Sequence, residues 1–197
     1  MRLNLRAFVL AGLLSTPLLF TACIKVQTGP PTTEEALDAA SVRGKEIRAE
    51  WFTRFQSATP EDKVILWRMF VDSTAESYLR YGSTVADEWR KGNEGRRAAI
   101  ADTEMQSTVD RWILTQRPQL EAYDDIVEYG VDQIKLTNVF GATILDPIQQ
   151  LRDQYYRVYS AVFFPKGTVQ EYLQRQTEVR GELQRYSFDL ERALSRR

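Results

Sequence analysis

Residues 59–91 read TPEDKVILWRMFVDSTAESYLRYGSTVADEWRK and carry the longest helical pattern in the chain. Thr59 is suited to cap a helix and Pro60 to occupy its first position, while the acids that follow favourably oppose the helix dipole. The inward positions then recur at steps of three and four residues, as in helices that pack side by side. These seam positions are Val64, Trp67, Val71, Thr74, Tyr78, Tyr81 and Val85. The stretch predicts a helix about 45 Å long, and hence an elongated bundle.

Helical patterns also flank this central stretch. A first helix is predicted over 33–57, with apolar residues at helical spacing. A turn is expected over 92–95, and a third helix follows it to about Gln116. Pro118 is expected to end that helix, because proline lacks the backbone N–H that a helix interior requires. A fourth helix is predicted over 119–138.

The C-terminal part of the chain predicts two further helices. Asp146-Pro147 combines a capping residue with a proline suited to a first turn, so we expect a helix to begin there. Thr168 and Glu171 have capping-box spacing and open a last helix, which runs to about Ser195. We therefore predict about five to six helices joined by short loops.

The composition favours a single all-α domain over 34–197. No alternating pattern typical of strands occurs in the sequence. The 197 residues include 26 basic and 27 acidic side chains, with a net charge of −1. Because both signs are interspersed, there is no basic surface of the kind that nucleic acid requires.

The chain contains no histidine and only one cysteine. The lack of histidine excludes histidine-based triads, imidazole general bases, histidine-ligated zinc or haem and a histidine pH switch. A lone cysteine cannot form an intramolecular disulfide. No motif for a cofactor, phosphate or metal stands out, so we expect a protein that is not an enzyme and has no cofactor or metal site.

Residues 1–23 read MRLNLRAFVLAGLLSTPLLFTAC. A positive start, an apolar stretch over 7–20 and two small residues follow one another as in a secretory signal peptide. A spanning helix needs roughly 20 apolar residues, whereas this stretch is shorter and contains Pro17. We therefore expect residues 1–22 to be cleaved after export.

The last residues of this segment, Phe20-Thr21-Ala22-Cys23, resemble the lipobox of bacterial lipoproteins, although Phe20 stands where leucine is usual. The resemblance implies acylation of Cys23 with fatty acids such as palmitate, and a lipidated tether over 23–33. It places the domain on the periplasmic side of a bacterial membrane. Ile24 follows the cysteine instead of an inner-membrane aspartate, so the outer membrane is favoured over the inner. The alternative is an unmodified thiol at Cys23.

An acidic group near the start of the predicted fourth helix is one candidate site. Asp124, Asp125, Glu128 and Asp132 could bind a divalent cation through oxygen ligands or supply paired carboxylates for hydrolysis. Against this, the spacing fits neither an EF-hand loop nor a carboxylate–histidine metal site. We favour the interpretation that these acids form a solvated helix face.

An aromatic group on the predicted fifth helix is the second candidate. Its members, Tyr155, Tyr156, Tyr159, Phe163 and Phe164, could contact a partner protein or line a pocket for an apolar ligand. Core packing alone also explains this spacing. Adjacent residues of a helix point about 100° apart, so Tyr155 and Tyr156 cannot both face one narrow seam. We also expect Phe140, Phe163 and Phe164, which lie beside predicted loops, to be exposed.

Three functions are consistent with these features. The first is a non-catalytic accessory or scaffolding subunit of a membrane or envelope protein complex, held to the lipid bilayer through acylated Cys23. The second is a binding or carrier module with an aromatic-lined pocket for an apolar ligand. The third is a carboxylate-based hydrolase of an envelope polymer, which would need two acids to converge on a cleft. We favour the first.

Overall fold

The computed structural model describes residues 32–94 and 101–196. These residues form an all-α bundle, with no strand in either described range. The helices α1 to α5 belong to one compact unit. They are α1 (Thr33–Ser57), α2 (Pro60–Asn93), α3 (Asp102–Leu136), α4 (Ala142–Phe163) and α5 (Val169–Ser195). The predicted fold class is confirmed, with five helices in the described part of the chain.

Successive helices run in opposite directions, and α2 packs mainly on α3, α4 and α5. Phe70 and Tyr81 of α2 meet Tyr123 and Trp112 of α3, which makes these two helices antiparallel. Helix α4 returns antiparallel to α3, and α5 returns antiparallel to α4 alongside α2. The seam predicted for residues 59–91 is confirmed, because all its members are buried except the half-buried Tyr81.

Helix α1 packs on α3 and runs parallel to it. Successive contacts join Gly44 to the backbone of Pro118, Arg48 to Asp125 and Phe52 to Tyr129. The Arg48 and Asp125 side chains form an ion pair of 2.5 Å. The rings of Phe52 and Tyr129 stack with centroids 3.9 Å apart. Helix α1 is thus held on α3 by several contacts along its length.

The structure corrects the predicted break at Pro118. Helix α3 continues through this residue as one element of 35 residues. An interior proline costs about 3 kcal/mol in an isolated helix. Here Val109 on one side of Pro118 and Ile126 on the other are both fully buried. Burial of each such side chain contributes roughly 1.5–3 kcal/mol, so packing on both sides outweighs the proline and joins the two predicted helices.

The predicted start at Asp146-Pro147 is also wrong. Helix α4 begins at Ala142, and the carbonyl oxygen of Gly141 accepts from the backbone N–H groups of Ile144 and Leu145. Ile144 is buried, so extending the helix toward the N-terminus places another apolar side chain in the core. Pro147 therefore lies inside the helix, where exposure of Thr143 lets water satisfy the carbonyl left without a donor.

The caps predicted at Thr59 and Thr168 are present. The side-chain oxygen of Thr59 accepts from the backbone N–H of Asp62 at 3.2 Å. At the start of α5, Thr168 accepts from the backbone N–H of Glu171, and the Glu171 carboxylate accepts from the backbone N–H of Thr168. This reciprocal pair is the capping box predicted from the sequence, and it fixes where the last helix begins.

Candidate functional site

The aromatic group on α4 divides between the core and the surface. Tyr155 and Phe163 are fully buried, Tyr156 and Tyr159 are half-buried, and Phe164 is 46% exposed. The expected exposure is therefore confirmed for Phe164 and wrong for Phe163. Phe140, also expected at the surface, is buried. Phe164 is therefore open to solvent, and the two half-buried tyrosines are open to it in part.

The buried rings pack against one another. Tyr78 of α2 meets Tyr155, Tyr159 and Phe163 of α4 at centroid distances of 5.8, 5.8 and 5.1 Å. Trp112 of α3 lies 5.5 Å from Phe163. Aromatic pairs at such distances contribute about 0.5–1.5 kcal/mol beyond the area they bury. These rings join three helices and occupy the space between them.

A chain of hydrogen bonds crosses this aromatic cluster. The Tyr155 hydroxyl donates to Oδ1 of Asp124 at 3.0 Å, and it lies 3.0 Å from the Tyr78 hydroxyl. Because Tyr155 has only one phenolic proton, Tyr78 is the donor in the second bond. Burial raises the pKa of both tyrosines well above the ordinary value, so both phenols remain protonated.

Asp124 is a half-buried carboxyl at the end of this chain. Burial raises its pKa from 3.8 to about 6, although the Tyr155 hydrogen bond acts in the opposite direction. Negative charges at Asp125, Glu128 and Glu121 on the same helix raise it further. Asp124 thus changes charge at a mildly acidic pH, in a protein that has no histidine to do so.

Glu128 forms a second polar bridge between α3 and α4. Its Oε1 accepts from the Tyr156 hydroxyl and from Nε of Arg152, each at 2.7 Å. Burial alone would raise the pKa of Glu128, but the hydrogen bonds from Arg152 and Tyr156 outweigh it and lower the pKa. Glu128 therefore stays ionised at the pH at which Asp124 gains or loses its proton.

The four acids that were predicted to form one solvated helix face lie in different surroundings. Asp124 and Glu128 bind α4, Asp125 is exposed but pairs with Arg48 of α1, and Asp132 is exposed. The solvated-face interpretation holds for Asp125 and Asp132, fits the half-buried Glu128 in part, and is wrong for Asp124, whose pKa is raised by burial. Within the described residues, no group of three or more aspartates, glutamates or other metal-binding side chains is placed to hold a metal ion.

A polar cluster between α2 and α5 was missed by the sequence reasoning. The Ser187 hydroxyl donates to Asp72 at 2.6 Å, and Arg68 contacts both Ser187 and Glu191. Burial raises the pKa of Asp72, although the Ser187 hydrogen bond and Arg68 act against it. Ser187 is buried, whereas the preceding Tyr186 is half-buried. A serine next to a tyrosine shows no pattern that indicates burial, so this cluster could not be predicted from the sequence.

An open groove adjoins this cluster at the C-terminal end of α5. Its volume is about 290 Å³, and it is lined by Ile65, Arg68, Glu191, Leu194 and Ser195. The Arg68 guanidinium already contacts Ser187 at 3.3 Å and Glu191 at 3.4 Å. An anionic ligand would have to displace these contacts, so we assign no ligand to the groove.

The membrane-related predictions fall mainly on residues that the structure does not describe. Cys23 and the signal segment lie outside the described ranges. Among the helices that are described, none combines the length and the apolar composition needed to cross a membrane.

Comparison of the chain with protein-family models, with curated proteins and with solved structures finds no match.

Proposed function

We propose that this chain is a lipid-anchored, non-catalytic accessory or scaffolding subunit of a larger bacterial membrane or envelope complex. The observation that carries the proposal is Phe20-Thr21-Ala22-Cys23 at the end of an export signal, because it gives the domain a location at a membrane. Acylation would also remove the single thiol, which is a liability in an oxidising compartment.

The surface of the bundle supports a role in binding other proteins. Leu136, Phe188 and Leu114 are 70%, 61% and 57% exposed, and Phe164 joins them at the turn after α4. Aromatic side chains such as Phe188 and Phe164 are enriched at the centres of protein interfaces. In contrast, the fully buried rings of Tyr155 and Phe163 contribute to the core of the domain.

The anchor is tested by Cys23→Ser in the full-length chain. We expect the wild-type protein in the membrane fraction, with an intact mass that shows cleavage before Cys23 and addition of acyl chains. One acyl chain holds a protein only marginally, whereas several give stable attachment. The variant should lose the acyl mass and leave the membrane fraction. An unmodified thiol in a wild-type protein that still sediments with membranes would rule out the lipid anchor.

The partner is tested by extraction in mild detergent, followed by measurement of particle size. We expect a complex larger than the lone chain, and Phe188→Glu should reduce its abundance if the exposed ring lies in the interface. Gln184→Glu, one turn earlier on the exposed side of α5, adds the same charge and serves as the control. A wild-type protein that migrates as a lone monomer would argue against the scaffolding role even if the anchor is confirmed.

A further inference from the structure

The hydrogen-bonded chain of Tyr78, Tyr155 and Asp124 joins α2, α4 and α3 in series. We propose that these three hydrogen-bonded side chains form a proton-responsive latch. Binding of one proton by Asp124 tightens the packing of α4 on α2 and α3, and release of that proton loosens this packing. The inference concerns the folded domain itself and does not depend on the proposed anchor or partner.

The surroundings of Asp124 make its charge costly. Helix α2 presents Tyr78, and α4 presents Tyr155, Tyr156 and Tyr159, all of them neutral phenols. Helix α3 adds the like charges of Glu121, Asp125 and Glu128.

Two arginines of the neighbouring helices already pair with other acids of α3. Arg152 of α4 binds Glu128 at 2.7 Å, and Arg48 of α1 binds Asp125 at 2.5 Å. Among the described residues, no lysine or arginine forms an ion pair with Asp124. A half-buried carboxylate that has a phenol as its partner, with no cation, is less stable than one in water.

Protonation removes this cost without breaking the chain of hydrogen bonds. A proton on Oδ2 of Asp124 leaves Oδ1 free to accept from Tyr155, and Tyr78 continues to donate to Tyr155. Glu128 keeps its charge and its bonds to Arg152 and Tyr156 in both states. The two states therefore differ in a single charge at the contact between α3 and α4.

The direction of the pH effect follows from the raised pKa. The folded carboxyl titrates at about 6 and the ordinary carboxyl at 3.8, so the folded state binds the proton more tightly. The contribution of Asp124 to stability is present below pH 3.8 and is lost as the pH rises through about 6. Each pH unit between the two values corresponds to about tenfold in the unfolding equilibrium constant. Because solvent screens the half-exposed carboxyl, we expect the unfolding equilibrium constant to change by about 10- to 30-fold in total.

Urea unfolding of the full chain in a non-ionic detergent, between pH 4.5 and 7.5, tests the latch. We expect the unfolding constant of the wild type to rise about tenfold or more relative to that of Asp124→Asn over this range. Asp132→Asn removes the same charge from an exposed position of α3 and should follow the wild type. Parallel wild-type and Asp124→Asn profiles would overturn the proposal, as would an equal effect of Asp132→Asn.

A second measurement tests the loosening of α4 directly. Amide hydrogen exchange of α4 should be faster in the wild type than in Asp124→Asn at pH 7.5, and equal in the two proteins at pH 4.5. If Asp124→Asn does not fold, Tyr155→Phe serves instead. That change removes the bond that favours the charged carboxyl, so the titration of Asp124 in NMR spectra should move to higher pH. An Asp124 carboxyl that titrates near 4 in the wild type would exclude the latch.

Discussion

Gly130 sets the distance between α2 and α3 at the centre of the core. A Cβ atom at this position would lie 2.3 Å from Cδ1 of Trp67 and 2.9 Å from Cζ of Phe55. Both rings are fully buried, and Nε1 of Trp67 donates to the carbonyl oxygen of Val127 at 2.9 Å. Neither ring can move away without losing contacts on its other side.

We therefore expect Gly130→Ala to destabilise the fold. Overpacking a well-filled core typically costs about 1–3 kcal/mol, which exceeds the roughly 0.8–1.0 kcal/mol that alanine gains over glycine within a helix. Denaturant unfolding monitored by tryptophan fluorescence would measure the change, since Trp67 lies at the site.

Gly181 provides the matched control, because it lies inside α5 and an added Cβ would have no atom within 4 Å beyond its chain neighbours and the backbone of its own helix. Gly181→Ala should stabilise the protein by about 0.5–1 kcal/mol, through helix propensity alone. Equal stabilisation by the two substitutions would show that Trp67 does not pack against Gly130 as closely as described.

The candidate site shows what a sequence can reveal about single residues. The sequence predicts that Tyr155 and Tyr156 cannot both face one narrow seam, because adjacent residues of a helix point in different directions. It does not decide which of the two is buried. Its bond to Asp124 could not be predicted, because the two residues are 31 positions apart and meet only through the relative register of α3 and α4. The raised pKa of Asp124 depends on that register and on the phenols around it.

At the scale of helices, the ends marked by side-chain caps were predictable, whereas the boundaries predicted at Pro118 and Pro147 were wrong. Thr59 and Thr168 cap their helices through bonds within four residues, so local sequence is sufficient to place them. Pro118 and Pro147 lie inside helices whose flanking apolar residues are buried by other helices. Local sequence cannot weigh the cost of a proline against packing that depends on distant parts of the chain.

Pro118→Ala tests that balance within α3. Alanine restores a backbone donor and removes the ring that crowds the preceding turn, so we expect the protein to gain about 1–3 kcal/mol of unfolding free energy. Thermal unfolding followed by circular dichroism would measure the gain.

Pro60→Ala is the control, because Pro60 is the first residue of α2, where a backbone N–H has no acceptor within the helix. Its effect should be small. If Pro118→Ala instead destabilises the protein, the local backbone shape imposed by proline is needed where α1 approaches Pro118 at Gly44.

At the scale of the whole domain, α1 has a different role from the other helices. Helix α2 packs on α3, α4 and α5, and α4 packs on α3 and α5, while α1 lies mainly on α3. Its contacts nevertheless include the fully buried Phe55 and the ring of Trp51, which meets Phe70 of α2 at 4.7 Å. Because α1 follows the predicted tether, these contacts would connect a lipid anchor to the rest of the bundle.

The attachment of α1 can be weakened at one point by Gly44→Ala. The added Cβ would lie 2.7 Å from the carbonyl oxygen of Pro118, a backbone atom that cannot rotate away. We expect a cost of about 1–3 kcal/mol, which makes the amides of α1 exchange roughly tenfold faster or more. Protection in α4 and α5 should change little if α1 opens separately from the other four helices. Equal loss of protection in all five helices would instead show that the domain unfolds as a single cooperative unit. Gly181→Ala should leave exchange in α1 no faster than in the wild type.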